Sequence, residues 1–483
     1  MNTLLTLLLG MVQAASAQSI TWSTPVPIGN ASASNGLRPR IAITDNGEVN
    51  VIWGRDSLIG EILHARAVGG VFGPPVTASI GTHDVEVGPS AGPNIAAKGN
   101  DVYISYGTLA PNTGRLYTIK SSDAGASWAD PVWLDQYLSG GTDAILPHVA
   151  IDGVGHPHAA MLRYAGSWSA GAVCSVNLGA SYTTFVPADG SVPGSPCVVT
   201  DPFIVIDGNK HVVLWRLQNG NDHPIHAALS TNNGASFTVK KNIDDGTAQD
   251  ISCNASGPEA IIAADSLIYA WVSPVDNGRV KCGAADMVGL NAATPVTLDQ
   301  GATPTTIQRQ PTIAGGSGIL GLGWVEDRTG LDDVYFAWST SGPSGITLVS
   351  ALPPAAGPRH SPSLVFRDST FHLVYVDEAQ AAVMYATGLV DASTSVPSTH
   401  ATTMPLQVWP NPAAHSIDLH WDRDLAEVRL RIRDLSGTLV LTKDLANAHG
   451  AARIDVSALA TGPYVVELRS QGHVGRTPLV VLR

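Results

Sequence analysis

The chain carries the segment PRIAITDNGEVNVIW at residues 39–53 and returns to its pattern six more times. Each copy has a proline, a short apolar run, a turn, and a second apolar run that closes on a large residue. The other copies are PNIAAKGNDVYISY from Pro93, PHVAIDGVGHPHAAML from Pro147, PFIVIDGNKHVVLW from Pro202, PEAIIAADSLIYAW from Pro258, PTIAGGSGILGLGW from Pro311 and PSLVFRDSTFHLVY from Pro362. Successive prolines are 51 to 56 residues apart.

The runs within each copy are too short for helices and are rich in Val, Ile, Tyr and Trp, which is typical of strands. Turn residues such as Asp45-Asn46-Gly47 join the two runs into a hairpin. A third strand follows, as in residues 61–66, and then a fourth with a Pro-Val pair, as at Pro75-Val76. Four strands in a period near 50 residues predict one blade of a β-propeller. We therefore expect an all-β fold with a seven-bladed β-propeller; a six-bladed ring with one aberrant copy, or an open array, is the alternative.

The seventh copy ends after its third strand, near residues 383–387. Residues 22–28, WSTPVPI, resemble residues 128–134, WADPVWL, which form the fourth strand of the second copy. An N-terminal strand that completes the last blade would remove an exposed sheet edge. We therefore expect the propeller to occupy residues 18–390.

The ends and the composition indicate export. Residues 1–17 combine an apolar leucine run with Ala15-Ser16-Ala17, which predicts a cleaved signal peptide, and no segment is apolar and long enough to span a membrane. The formal net charge is −13 without a basic patch, so a nucleic acid partner is not expected. Four cysteines in an exported chain suggest two disulfides. The favoured pairs are Cys174–Cys197 and Cys253–Cys282, although four cysteines allow three pairings.

A Ser/Thr-rich stretch at residues 391–404 predicts a linker, and short alternating strands at 405–483 predict a small immunoglobulin-like β-sandwich. This last segment contains Trp409-Pro410-Asn411-Pro412, an Asp-x-x-Gly turn from Asp434, and Leu459-Ala-Thr-Gly-Pro-Tyr464. It resembles the type A C-terminal sorting domain of the type IX secretion system of Bacteroidota. The resemblance implies contact with that secretion machinery and delivery to the exterior or the outer-membrane surface of a Gram-negative bacterium.

One segment fits the Asp-box pattern Ser-x-Asp-x-Gly-x-x-Trp through Ser121, Asp123, Gly125 and Trp128. A degenerate (worn) copy of the motif lies at residues 230–237, with Asn232 and Phe237 in place of Asp and Trp. The propeller therefore resembles the sialidase-like, Asp-box (BNR) superfamily, which contains glycosidases, lectins and propellers without enzymatic activity. The box itself is a turn device and indicates the fold rather than catalysis.

Strand direction places the hairpin turns and the Asp boxes on one face of the ring, so we expect a ligand on the opposite face near the axis. The candidates flank the repeated prolines there: Arg38, Arg40, His148, Asp201, Glu259, Arg309 and Arg359. Arginines recognise carboxylates through a bidentate fork. The resemblance implies that Arg38 or Arg40 with Arg309 and Arg359 would imitate the arginine clamp of sialidases, beside Glu259.

Three features argue against an active sialidase. The Arg-Ile-Pro motif is absent, because the order here is Arg38-Pro39-Arg40-Ile41. Sialidases have six blades, whereas this ring counts seven. They also use a tyrosine nucleophile, and no tyrosine here stands at a diagnostic position, because Tyr375 fills the place where other copies carry a packing Trp. We expect a module that binds glycans or another extracellular polymer; a glycoside hydrolase and a structural adhesion module are the alternatives.

No cofactor is expected. The carboxylates of Glu326-Asp327 and Asp332-Asp333 are of the kind that binds calcium, but a solvated acidic loop is the preferred interpretation. The histidine pairs His156/His158 and His223/His226 have no third ligand nearby in sequence, so no metal role is expected for them.

Overall fold

The structure is a computed structural model. It describes residues 19–32, 35–88, 91–109, 115–136, 143–189, 199–217, 224–244, 257–273, 278–346, 348–352, 356–391, 402–425, 428–434, 439–445, 448–470 and 473–482. The predicted signal peptide and most of the predicted linker lie outside these residues. The described residues form two compact units, Ser19–Asp391 and a second unit within Ala392–Arg483.

The first unit is built from seven antiparallel sheets. They are numbered here in the order of the seven sequence repeats, so that the sheet of the last repeat, which also contains β1 and β2, is sheet 7. Sheet 1 contains β3 (Asn35–Ile43), β4 (Val49–Asp56), β5 (Gly60–Val68), β6 (Val71–Phe72) and β7 (Val76–Thr77). Sheet 2 contains β8 (Asn94–Lys98), β9 (Asp101–Thr108), β10 (Arg115–Ser121) and β11 (Val132–Trp133). Sheet 3 contains β12 (Asp143–Ile151), β13 (Pro157–Tyr164), β14 (Trp168–Cys174) and β15 (Val186–Pro187). Sheet 4 contains β16 (Val199–Asp207), β17 (Lys210–Leu217), β18 (Ile225–Ser230) and β19 (Val239–Asn242).

The remaining three sheets repeat this order. Sheet 5 contains β20 (Glu259–Ala263), β21 (Ser266–Ser273), β22 (Arg279–Asp286) and β23 (Val296–Thr297). Sheet 6 contains β24 (Gln308–Gly316), β25 (Ile319–Glu326), β26 (Asp333–Ser339) and β27 (Leu348–Ala351). Sheet 7 contains β28 (Arg359–Arg367), β29 (Thr370–Asp377), β30 (Ala382–Asp391), β1 (Ser19–Trp22) and β2 (Val26–Asn30). The one short helix among the described residues is a 3₁₀ turn at Pro343–Gly345, so the predicted all-β fold is confirmed.

The first strands of the sheets contact one another in a closed cycle. The order is β3, β8, β12, β16, β20, β24, β28 and back to β3. Apolar clusters fill the space between neighbouring sheets, as expected for sheets that are buried on both faces. The large residue that closes a repeat lies in this core: Trp53, Trp215, Trp271 and Trp324 are fully buried.

The N-terminal strands complete sheet 7. β1 pairs with β30 from Ser19 opposite Asp391 to Trp22 opposite Gly388, and β2 pairs with the start of the same strand. Ile28 is buried in the core that sheets 1 and 7 share, and the Trp22 ring stands edge-on to Phe336 of sheet 6. The strand predicted from residues 22–28 therefore pairs where the sequence comparison placed it.

A backbone bulge precedes most of the repeated prolines. Arg38, Leu146, Gln310 and Ser361 have a φ of 48 to 55°, and Gly257 has a φ of 86°. The pairing of the first two strands shifts at this point in sheets 1, 3, 4, 6 and 7. Because a bulge redirects side chains, it decides which residues around each proline face the axis.

The second unit contains two sheets around one apolar core. The larger sheet contains β31 (Thr402–Thr403), β34 (Val428–Asp434), β35 (Leu439–Leu445), β37 (Gly462–Ser470) and β38 (His473–Val481). The smaller contains β32 (Leu406–Trp409), β33 (Ser416–Leu425) and β36 (Ala448–Asp455). The Asn411 amide donates to Pro478 O at 2.9 Å and accepts from Val480 N–H at 2.9 Å, so the Pro-Asn-Pro motif fastens the entry of this unit to its last strand.

Candidate functional site

A charged contact lies at the centre of the ring. Arg40 Nη2 is 3.7 Å from Glu259 Oε1, and each side chain is less than one-fifth exposed. Arg40 follows its proline in sheet 1 and Glu259 follows its proline in sheet 5. These sheets are not neighbours in the cycle of first strands, so the ion pair spans the axis. It brings together two of the predicted site residues.

His148 belongs to the same group. Burial first, and then the positive charges of Arg40 and Arg38, lower the pKa of His148 to about 3. Its ring packs on Phe203 with centroids 3.8 Å apart, and its Nδ1 accepts from Ile204 N–H at 3.4 Å. The imidazole is therefore neutral at physiological pH, and its Nε2 carries the proton. It can donate one hydrogen bond.

Arg38 links this group to two carboxylates that the sequence analysis missed. Burial and the nearby charge of Asp143 raise the pKa of Glu86, while the charge of Arg38 opposes that rise. Glu86 precedes the first strand of sheet 2 and Asp143 begins the first strand of sheet 3. No repeat pattern marks Glu86, which lies in a connection between sheets. We call Arg38, Arg40, Glu86, Asp143, His148 and Glu259 the axial cluster.

The described contacts of Arg309 and Arg359 are with groups outside the axial cluster. Arg309 forms an ion pair with Asp332. Arg359 is only 5% exposed; its Nε lies 3.2 Å from Asp377 Oδ2 and its Nη1 lies 3.4 Å from Asp333 Oδ1. The guanidinium also lies 5.6 Å from the centre of the Tyr375 ring.

The spacing to the proline differs between the Arg40–Glu259 pair and these two arginines. Arg40 and Glu259 directly follow their prolines, whereas Arg309 and Arg359 stand two and three residues before theirs, on the other side of the bulge. The positions that looked equivalent in the sequence are therefore not equivalent in the sheets. Asp201 lies in β16, and its side chain is outside the described residues.

The acidic segment of sheet 6 is not a solvated loop, and that interpretation was wrong. Glu326 is fully buried and accepts hydrogen bonds from Trp324 Nε1 at 2.9 Å and Gln308 Nε2 at 2.8 Å, besides its ion pair with Arg328. Asp327 accepts from Ile307 N–H at 2.7 Å. Protein donors thus occupy these oxygens, which leaves them poor candidates for calcium.

The predicted Asp box folds as a turn held by side chains. Ser121 Oγ donates to Asp123 Oδ1 at 2.7 Å, and Asp123 accepts from Ser127 N–H at 2.9 Å. The hydrogen bonds from Ser127 and Ser121 lower the pKa of Asp123 to about 2. The worn copy repeats this arrangement, with Asn232 accepting from Ser236 N–H at 3.0 Å.

A third turn of this kind lies in sheet 3, where the sequence analysis did not place one. Ser175 Oγ donates to Asn177 Oδ1 at 2.9 Å, and Asn177 accepts from Ser181 N–H at 3.0 Å. Asn177 and Tyr182 replace the Asp and the Trp of the pattern, so that only Ser175 and Gly179 match it.

Cys174 and Cys282 are buried free thiols. Burial raises the pKa of both to about 12. Their predicted partners, Cys197 and Cys253, lie outside the described residues, so the disulfide pairs stay predictions.

An open cavity of about 320 Å³ lies along the first strands of sheets 1, 2 and 7. Its lining is mostly apolar and includes Ile43, Ala97 and Phe366 from the ends of those strands nearest the hairpin turns. Arg367 also lines it and donates to the carbonyls of Thr44 and Asp45. The axial cluster is not part of this cavity.

Comparisons with solved structures give weak matches to sugar-processing enzymes. An α-L-arabinanase of Penicillium chrysogenum, complexed with arabinobiose, is 12% identical at a TM-score of 0.44 and covers 77% of this chain and 98% of its own. The NanB sialidase of Streptococcus pneumoniae is 11% identical at 0.43 and covers 62% and 66%. A polysaccharide lyase of family PL25, an ulvan lyase, is 12% identical at 0.48 and covers 76% and 96%. Similarity at this level does not indicate a shared activity.

The second unit has a clear relative. No curated protein sequence matches the chain, but residues 407–481 match the family described as "Secretion system C-terminal sorting domain". The match contains the Asn411 contact with β38 and the Tyr464 hydroxyl, which donates to Ala460 O at 2.8 Å. No helix among the described residues is long and apolar enough to span a membrane. Residues 407–481 are thus a C-terminal sorting domain of the type IX secretion system, which indicates that the protein is secreted or held at the outer-membrane surface.

Proposed function

We propose that residues 18–390 form a seven-bladed, sialidase-like β-propeller that binds an acidic glycan or another anionic extracellular polymer at the axial cluster. In this proposal residues 1–17 are a cleaved signal peptide, and residues 405–483 are an immunoglobulin-like sorting domain behind a linker. The observation that carries the binding role is the Arg40–Glu259 contact across the axis, with Arg38 and His148 beside it.

The chemistry of the cluster suits a carboxylated sugar. Arg38 and Arg40 supply donors that pair with a carboxylate, and His148 supplies a neutral N–H donor for a hydroxyl. Glu259 accepts hydrogen bonds from sugar hydroxyls when a ligand carboxylate takes over part of its contact with Arg40. In this proposal the ligand approaches from the face away from the Asp-box turns.

A glycan array with the purified protein tests this proposal. We expect binding to glycans that carry uronic or sialic acids, and a dissociation constant 10- to 100-fold weaker in Arg40→Ala, because a hydrogen bond to a charged group contributes about 1.5–3 kcal/mol. The control is Arg66→Ala, which removes an arginine paired with Glu48 near the hairpin-turn face. Equal weakening in both variants, or no acidic glycan bound, would overturn the proposal.

A glycoside hydrolase is the second candidate, because a specific pair of carboxylates favours it. Burial and the charge of Asp143 raise the pKa of Glu86, which is the direction that a general acid requires. Release of reducing ends from a bound glycan, abolished in Glu86→Gln with binding retained, would establish hydrolysis. Binding without any release leaves the lectin role, and a protein that binds no glycan is an adhesion module.

A further inference from the structure

Two histidines and a cysteine meet between sheets 3 and 4. His158 begins the second strand of sheet 3, Cys174 ends its third strand, and His211 begins the second strand of sheet 4. One ligand atom from each side chain lies within 4.8 Å of the others. All three side chains are buried, His211 completely and His158 to 2% exposure.

These groups have unsatisfied polar atoms. The buried Nδ1 of His158 and both ring nitrogens of His211 have no hydrogen-bond partner. A buried polar atom without a partner destabilises the folded state by about 1–3 kcal/mol, so such atoms need an explanation. Burial lowers the pKa of His211 to about 4 and lowers that of His158 as well. In the neutral form of each ring, an unpartnered nitrogen can offer its lone pair to a metal ion.

The Asp-box turns provide an internal comparison. The turn glycine of sheet 2, Gly125, lies over Asn50 and His64, and these two side chains hydrogen-bond each other at 2.9 Å. The turn glycine of sheet 4, Gly234, lies over Cys174 Sγ and His211 Nδ1. No hydrogen bond pairs His211 with Cys174 among the described contacts. The site under Gly234 therefore needs a different partner for the ring nitrogens of His211.

We propose that His158, Cys174 and His211 bind a zinc ion that joins sheet 3 to sheet 4. Zinc binds thiolate sulfur at about 2.3 Å and imidazole nitrogen at about 2.0–2.1 Å, and three donor atoms within 4.8 Å of one another are close enough to share one ion. The fourth position of a tetrahedral site is left for water or another donor. Binding releases the Cys174 thiol proton to solvent as the Zn–S bond forms.

Asp152 fits the role of an outer partner. Its Oδ2 lies 3.3 Å from His158 Nε2, so that nitrogen donates to the carboxylate and Nδ1 is left for the metal. Backbone N–H groups of Val154 and His156 fix the same carboxylate at 3.0 and 2.8 Å. A carboxylate, a histidine and a metal ion in series are a frequent arrangement around zinc.

The zinc site and the predicted Cys174–Cys197 disulfide exclude each other, because the same sulfur cannot serve both. Metal analysis of the purified protein tests the proposal. We expect one zinc per chain, less than one-tenth of that in Cys174→Ser and in His211→Gln, and full occupancy in the matched control His64→Gln. Cobalt added to zinc-free wild-type protein should give a thiolate-to-metal absorption band.

Stability gives a second readout in the wild-type protein itself. A ligand that binds only the folded state raises stability, by about 2.7 kcal/mol at a hundredfold excess over its dissociation constant, so zinc should raise the Tm of the zinc-free protein. Three results would each overturn the proposal: wild-type protein with neither zinc nor a cobalt–thiolate band, zinc retained in both ligand variants, or a Cys174–Cys197 disulfide in non-reducing peptide mapping.

Discussion

If β2 closes the ring, substitutions at two residues of that strand should differ sharply in how far they lower the stability of the protein. Ile28 is 6% exposed and packs in the core of sheets 1 and 7, whereas Val26 is 45% exposed. Truncation of a buried isoleucine to alanine destabilises a protein by about 2–5 kcal/mol. We therefore expect Ile28→Ala to lower the free energy of unfolding by about 3 kcal/mol and Val26→Ala by less than about 0.5 kcal/mol.

The expected shift of Tm is the loss of unfolding free energy divided by the unfolding entropy, which scales with the number of residues in the unit. At about 2.1 cal/mol/K per residue, the roughly 370 residues of Ser19–Asp391 unfold with an entropy of about 0.8 kcal/mol/K. Ile28→Ala should then lower Tm by about 4 °C in differential scanning calorimetry, and Val26→Ala by less than 1 °C. Equal shifts in the two variants, or no shift in Ile28→Ala, would refute the view that this strand carries part of the core.

Three further predictions test other parts of the account. Gly125→Ala should destabilise the protein by about 2 kcal/mol more than Gly47→Ala: both glycines have positive φ, but a methyl at Gly125 would clash with Asn50 Oδ1 whereas one at Gly47 meets nothing within 4 Å; similar urea midpoints would contradict this. Burial lowers the pKa of His372 from 6.5 to about 4, so the unfolded state binds the extra proton first and stability should fall as pH drops from 6.5 to 4; His372→Gln should flatten that fall, and an unchanged slope counts against it. Removal of residues 405–483 should leave a folded protein in the periplasm, as judged by cell fractionation, and unimpaired export would be the contrary result.

Most of the fold could be predicted from the repeated pattern, because that pattern reflects what the backbone of each blade requires. Each copy needs a proline at its start, a tight turn and a large core residue, and these requirements determine the residue types at fixed positions of the repeat. The strand at residues 22–28 could be placed for the same reason, since its apolar residues match a strand of another repeat.

The site was less predictable, because a bulge of one residue changes which side chain faces the axis. Arg40 and Arg309 both flank a proline, but only Arg40 follows it and reaches Glu259. Glu86 lies in a connection without a pattern, and His158 is separated from His211 by a whole repeat. Their neighbours are set by packing between sheets, which no local spacing reports.

The most direct test of the central claim is a crystal structure of the protein with the acidic oligosaccharide that binds it best. The account predicts a sugar carboxylate within hydrogen-bonding distance of Arg38 or Arg40 and a sugar hydroxyl at His148 Nε2, on the face away from the Asp-box turns. An oligosaccharide bound elsewhere, with Arg40 and Glu259 still paired and untouched, would contradict it.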